Sequence, residues 1–141
     1  MIEVYTDASV AKGKAVATCF VISSDNFIGY NSFEYKNVSS SLQGELLGIR
    51  DGIEYAIKCV PSREPVTVYC DSNSALSLVK CKNNDAKNAK RFKEIVADIH
   101  LLCKNRCVNF LLIKGHQMEH NPNKVVDLIS NSILRLSLKE R

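Results

Sequence analysis

"VYTDAS" (Val4–Ser9) and "VYCDSNSA" (Val68–Ala75) share one build: a short run of β-formers, an aspartate, then small polar residues. Each reads as a strand whose apolar run stops at a carboxylate. Around the first, Ile2–Tyr5 is followed closely by "AVATCFVIS" (15–23) and "FIGYNSFEYK" (27–36), with the turn-forming "SSDN" between them. Close spacing and turn chemistry predict an antiparallel meander of three strands. Around the second, Val66–Cys70 is reached through one helical stretch, and a fifth strand, Cys107–Ile113, through two more. Helical crossovers make those strands parallel. The predicted order is βββαβααβα: an α/β chain with a five-stranded mixed sheet flanked by helices. If strands one and four are neighbours with the same direction, Asp7 and Asp71 emerge side by side.

The 141 residues are 45% hydrophobic and 24% charged, which predicts one globular domain over 1–141. No run approaches the ~18 apolar residues of a membrane span, and "MIEVYTDAS" enters a strand with no basic leader. A cytoplasmic protein with no membrane partner is expected. Cys19, Cys59, Cys70, Cys103 and Cys107 sit in or beside apolar runs without framework spacing, so reduced, core-packed thiols are expected. Cys103, Cys107, His116 and His120 form C-x3-C-x8-H-x3-H. The gap of eight is short of the roughly twelve a zinc finger needs, and "VNFLLIKG" reads as a buried strand, so zinc is rejected. The net charge of +4 and pI of about 8.7 permit a polyanionic partner without establishing one. Much of the excess lies in "KCKNNDAKNAKRFK" (80–93), which taken alone reads as a solvated helix face.

The first helix follows "NVSSS", a source of N-caps, with Leu42, Leu46, Ile49, Ile53, Ala56 and Ile57 at helical spacing. Gly44, Gly48 and Gly52 recur along it every fourth residue. Each costs a helix about 1 kcal/mol relative to alanine, so the ridge calls for close approach to a sheet. Glu45 lies on the flank that this approach lowers onto the sheet, away from the polar face given to Arg50 and Asp51. Asp127 interrupts "VVDLIS" in the last helix and is expected to be at least half buried. No lysine or arginine adjoins either acid, so a cation is the economical partner. Asp7, Glu45, Asp71 and Asp127 make a hard oxygen site suited to Mg²⁺ or Mn²⁺. Two such ions about 3.5–4 Å apart activate water and stabilise the leaving oxygen in phosphodiester hydrolysis.

In this order the residues resemble type 1 ribonuclease H: Asp7 after "VYT", Glu45 in "LQGELLGI", Asp71 in "VYCDSNSAL", then "IKGHQMEHNPNKVVDLIS" with His116 and Asp127. The resemblance covers essentially the whole chain. It implies an endoribonuclease that cuts the RNA strand of RNA/DNA hybrids and leaves 5′-phosphate ends. It implies two Mg²⁺, replaceable by Mn²⁺, on Asp7, Glu45, Asp71 and Asp127, with no small-molecule cofactor. His116 would assist water activation or product release, while His120 and Asn123 match loop positions of the family.

The chain departs from the family in three places. The glycine-rich turn after the first aspartate is reduced to "ASVAKGK". The run before the helical glutamate is "SSSLQGE", which leaves Ser40, Ser41 and Gln43, with Ala8 and Ser9, to meet the minor groove of the hybrid and its 2′-hydroxyls. There is no Trp and no room for a full basic protrusion, so Lys87, Lys90 and Arg91 stand as its reduced substitute against phosphates. Weaker, more salt-sensitive binding is expected. Two alternatives share the fold: a DNA nuclease, integrase or resolvase, and a binding module without catalysis. An exonuclease with an acid two positions after the first aspartate is disfavoured by Ala8–Ser9. No protein partner is legible.

Overall fold

The computed structural model describes residues 1–24, 26–80, 86–113 and 122–139, leaving out the side chains at 86–88 and 122–123. Five strands form one sheet: β1 (Ile2–Ala11), β2 (Lys14–Ser23), β3 (Asn26–Lys36), β4 (Val66–Cys70) and β5 (Val108–Leu112), in the order β3-β2-β1-β4-β5. The meander is antiparallel, whereas β4 lies parallel to β1 and β5 parallel to β4. The expected mixed sheet is therefore the observed one, and the strands bearing Asp7 and Asp71 are neighbours. No helix among the described residues is long and apolar enough to cross a membrane.

β1 continues well past the predicted Tyr5. Its pairing with β4 stops at Tyr5↔Tyr69, but its pairing with β2 runs on to Ala11↔Lys14. The hairpin closes through Lys12 and Gly13, both with positive φ (51° and 76°), as a tight I′ turn demands. Asp7 thus lies inside β1, at the level where β1 has lost its β4 neighbour.

Helix α1 (Ser41–Cys59) packs on β1 and β2 and against α4. Ser40 caps it by accepting the Gln43 N–H at 3.2 Å, and Gln43 Oε1 reaches back to the Ser39 N–H at 3.1 Å. This reciprocal pair is a variant of the capping box. A methyl at Gly44 would stand 2.6 Å from Val10 Cγ2, and one at Gly52 2.7 Å from Thr6 Cγ2. At Gly48 the nearest atom, Asp7 O, would be 3.4 Å away, an ordinary contact. Ile2, Val4, Leu46, Ile49, Ile53, Val66, Val68 and Ile99 fill the core between sheet and helices.

Three expectations are corrected here. Asp51 is not on a polar outer face; it is 6% exposed. Because α1 packs both on the sheet and against α4, Asp51 is enclosed, and it accepts hydrogen bonds from the Tyr35 hydroxyl and from Arg50 Nε at 3.3 Å. The second of the two helical stretches expected before the fifth strand is itself two helices, α3 (Ala86–Arg91) and α4 (Lys93–Cys103), which follow α2 (Asn73–Val79). They part at Phe92, whose ring is buried in the core while Arg91 lies over it, 5.1 Å from its centroid. The named thiols are free but not uniformly buried: Cys19 and Cys70 are, whereas Cys59 and Cys107 are exposed.

The glycine ridge makes a differential prediction. Gly52→Ala should destabilise the fold by about 1–3 kcal/mol through overpacking. Gly48→Ala, gaining up to about 1 kcal/mol of helix propensity, should be neutral or mildly stabilising. Urea denaturation of the two variants checks this; equal losses would mean that close packing at Gly52 is not the reason for the ridge.

Candidate active site

Asp7 is 4% exposed. Its Oδ1 accepts the Ala8 N–H at 2.9 Å, while its Oδ2 is buried and meets no donor among the described residues. Other acids surround it instead. Burial, then the Glu45 charge, a hydrogen bond with Asp127 and the Asp71 charge push the Asp7 carboxyl up to about 10. Burial, then Asp71, pushes Glu45 up to about 7. Such shifts are what close carboxyl groups undergo without a cation.

Each acid reaches this point by a local cause. Glu45 follows Gly44 in α1, so the close approach at that glycine carries it to the sheet end. Asp71 follows β4 immediately. The cap of α2 is Ser72, which accepts the Ala75 N–H at 3.2 Å. Asp127 lies on α5 (Pro122–Lys139), which packs on β1 and β2. Contrary to expectation Asp127 is exposed. Val126, Ser130 and Leu134 form the buried line of α5; Asp127 falls one position beyond it and exposed Leu128 two.

The sequence did not point to Cys70. Its thiol donates to Glu45 Oε2 at 3.7 Å, and the ligand atoms of Glu45, Cys70 and Asp71 all lie within 4.8 Å of one another. Burial, then the Glu45 charge, push this thiol up, so it acts as a neutral donor. Asn131 was missed as well. It accepts the Ser9 hydroxyl proton at 2.6 Å and donates to Asp127 Oδ1 at 3.3 Å. Ser9 lies 122 positions from Asn131, a separation that hides the pair from any local pattern.

The residues expected to meet substrate lie in two places. Ala8 is half-buried beside Asp7, and Ser9 is 8% exposed with its proton given to Asn131. Ser40, Ser41 and Gln43 sit at the N-terminus of α1, the first and third occupied in capping. Beside them a groove of about 590 Å³ is lined by Asn37, Ser39, Gln43, Lys90, Arg91 and Lys93 among others. Arg91 Nη2 donates to Ser39 Oγ at 2.5 Å, which ties α3 to the entrance of α1. His116 and His120 lie outside the described residues, and so do the side chains of Lys87 and Asn123.

An RNase H family model matches residues 1–134. The chain belongs to the ribonuclease H family. No curated protein matches it in sequence. Among solved structures it is similar to RNase H1 from the halophilic archaeon Halobacterium salinarum NRC-1, at TM-score 0.79 and 12% identity over 95% of this chain and 97% of that one. It is also similar to the N-terminal RNase H domain of a Mycobacterium tuberculosis protein, at TM-score 0.72 and 14% identity over 94% and 97% of the two chains. LC11-RNase H1, solved in complex with an RNA/DNA hybrid, gives TM-score 0.71 and 18% identity over 99% and 100%. At these identities the likeness is one of fold.

The four acids fit a divalent cation on the chemistry of the donor set: a buried carboxylate oxygen without a donor among the described residues, faced by three more carboxyl groups. Metal-free, Glu45 and Asp7 bind protons more tightly in the folded chain than in the unfolded one. Stability is then fully present below the ordinary carboxylate range and falls as pH rises through the folded values. The melting temperature should drop by several degrees between pH 4.5 and 7, the Glu45 window, with Asp7 continuing the decline above it. Mg²⁺ should recover the loss at pH 7 and do little at pH 4.5. Thermal melts in chelator and in Mg²⁺ test this; a flat metal-free profile would remove the account of uncompensated acids.

Proposed function

We propose that the chain is an endoribonuclease that hydrolyses the RNA strand of RNA/DNA hybrids and leaves 5′-phosphate and 3′-hydroxyl ends. The observation that carries this reading is the buried Asp7 Oδ2, without a donor among the described residues and faced by three other carboxyl groups, in a chain of the ribonuclease H family. Asp7, Glu45, Asp71 and Asp127 would hold two Mg²⁺, or Mn²⁺ in their place. When bound, the ions lower the pKa of the attacking water and neutralise charge at the leaving oxygen.

The remaining work falls to the chain itself. The Ala8 N–H and the Cys70 thiol hold the Asp7 and Glu45 carboxylates at fixed orientations. Ser40, Ser41, Gln43 and the main chain at Ala8 and Ser9 would read the 2′-hydroxyls across the minor groove. Lys90, Arg91 and Lys87 would meet phosphates, the first two from the groove beside the α1 entrance. Because Gln43 Oε1 is held by Ser39, it is the amide NH₂ of Gln43 that is turned to donate. His116 would assist water activation or product release, with Asn123 contacting the same strand. The hybrid in the LC11-RNase H1 structure supports the substrate class proposed here.

Gel-resolved cleavage of a labelled RNA/DNA hybrid with Mg²⁺ or Mn²⁺, beside single-stranded RNA, duplex RNA and duplex DNA, tests the reading. Cutting should be confined to the RNA of the hybrid, and Asp71→Asn should drop it below detection while hybrid binding persists. Cutting of DNA would move the chain to the nuclease and resolvase group, and no cutting at low salt to a binding module. Arg91→Ala should weaken hybrid binding evenly across sequences and reduce the salt slope by about 1; an unchanged slope would take the α3 groove out of the substrate path.

A further inference from the structure

We propose that Asn131 is a positioning residue for the fourth acid: its side-chain amide ties Asp127 to the strand that carries Asp7. The inference rests on the reading of Asp127 as a metal ligand. Asp7 and Ser9 are two positions apart on β1 and so point to the same face of the sheet, the face that α5 covers. Asn131 stands one helical turn after Asp127 on α5, within reach of its side chain. The Ser9 hydroxyl donates to Asn131 Oδ1 at 2.6 Å, and Asn131 Nδ2 donates to Asp127 Oδ1 at 3.3 Å. These two bonds leave the amide one orientation. Turned over, it would set its oxygen against the Asp127 carboxylate and its NH₂ against a hydroxyl whose proton then has no acceptor there.

Asp127 needs such a tether more than the other helical acid does. Glu45 is half-buried and receives the Cys70 thiol, whereas Asp127 is exposed on the flank of its helix. An exposed aspartate is free to turn toward solvent, and ordering it at the moment of ion binding costs affinity. The amide removes that freedom beforehand. It also links the acid to β1 through Ser9, beside the hydrogen bond that Asp127 shares with Asp7 itself.

Docking of α5 does not depend on this pair. One residue earlier, Ser130 Oγ donates to Thr18 Oγ1 at 2.8 Å and ties the helix to β2. Near the far end, Lys14 Nζ donates to Ser137 O at 3.0 Å. Val126 and Leu134 bury the apolar side of the helix. What Asn131 adds to these attachments is contact with the acid.

The test compares Asn131→Leu, which keeps the size and removes both bonds, with Ser9→Ala, which removes only the bond to β1. Ser130→Ala, which loosens α5 without touching Asp127, serves as control. Mn²⁺ binding to each protein is followed by the resonance signal of the free ion, and hybrid cleavage is followed against Mg²⁺ concentration. Asn131→Leu should bind Mn²⁺ about tenfold more weakly, in the range of other residues that orient metal ligands. It should need correspondingly more Mg²⁺ for half-maximal cutting, recover kcat at saturating Mg²⁺ and leave KM for the hybrid unchanged. Ser9→Ala should move the same way by less, and carries the test if Asn131→Leu does not fold. Ser130→Ala should lower the melting temperature and leave the Mn²⁺ affinity alone. Wild-type Mn²⁺ affinity in Asn131→Leu and Ser9→Ala would overturn the proposal, as would an equal loss in Ser130→Ala. A wild-type protein that binds Mn²⁺ but cuts no hybrid would sink the proposed activity and leave the Mn²⁺ comparison to decide this one.

Discussion

Along its contact ridge α1 presents Gly44, Gly48 and Gly52 to β1 and β2, and the helix lies so close that a methyl at Gly44 or Gly52 would come within 2.7 Å of a sheet side chain. That approach is worth more than the helix propensity it sacrifices because it sets the height of everything else on the helix. Glu45, next to Gly44, is carried to the Cys70 thiol and the Asp7 carboxyl. Asp51, on the other flank, is pressed under Tyr35 and Arg50. A larger residue at either tight glycine would lift the helix and separate Glu45 from its neighbours.

The charges of the molecule are sorted by place. Around Asp7 the described neighbours are acids and a neutral thiol, so protons are held there far above the usual carboxylate range. Arg50, the cation nearest the middle of α1, is spent on Asp51 and Asp98. Lys90, Arg91 and Lys93 gather instead in the groove beside the α1 entrance. A buried acidic centre can receive hard cations, and a separate basic groove can receive a phosphate backbone. Merging the two would neutralise both.

Much of this was legible in the sequence because the strands and their connections obey simple patterns. Turn chemistry at "SSDN" and helical spacing before Val66 and Cys107 fixed which strands run antiparallel and which parallel. The β1 boundary was missed because "TDAS" breaks the apolar run, while the ladder to β2 persists on backbone bonds that polar residues make equally well. Asp127 was misread for the opposite reason: "VVDLIS" is apolar on both sides, yet α5 leaves Val125 and Leu128 in solvent along with the acid. Asp51 looked like one half of a surface pair with Arg50, since a helix covered on two sides is not visible in a one-sided pattern. The Phe92 break was hidden inside a continuous amphipathic stripe. Ser9 and Asn131 could be joined only by the fold, and the loop positions His116 and His120 lie outside the described residues.

The four acids lie on β1, on α1, just after β4 and on α5, places that span nearly the whole chain. No contiguous fragment contains the centre, and no early partial fold can assemble it. Folding must close its longest loops before the last carboxylate arrives, which is the slow end of assembly for a sheet of mixed direction. The same arrangement makes the centre sensitive to partial opening. Detachment of α5 alone would leave the sheet, α1 and three acids in place while removing the fourth, a sub-global unfolding. Ion binding at this centre, as proposed, would therefore report on complete closure of the chain and would hold α5 onto the sheet.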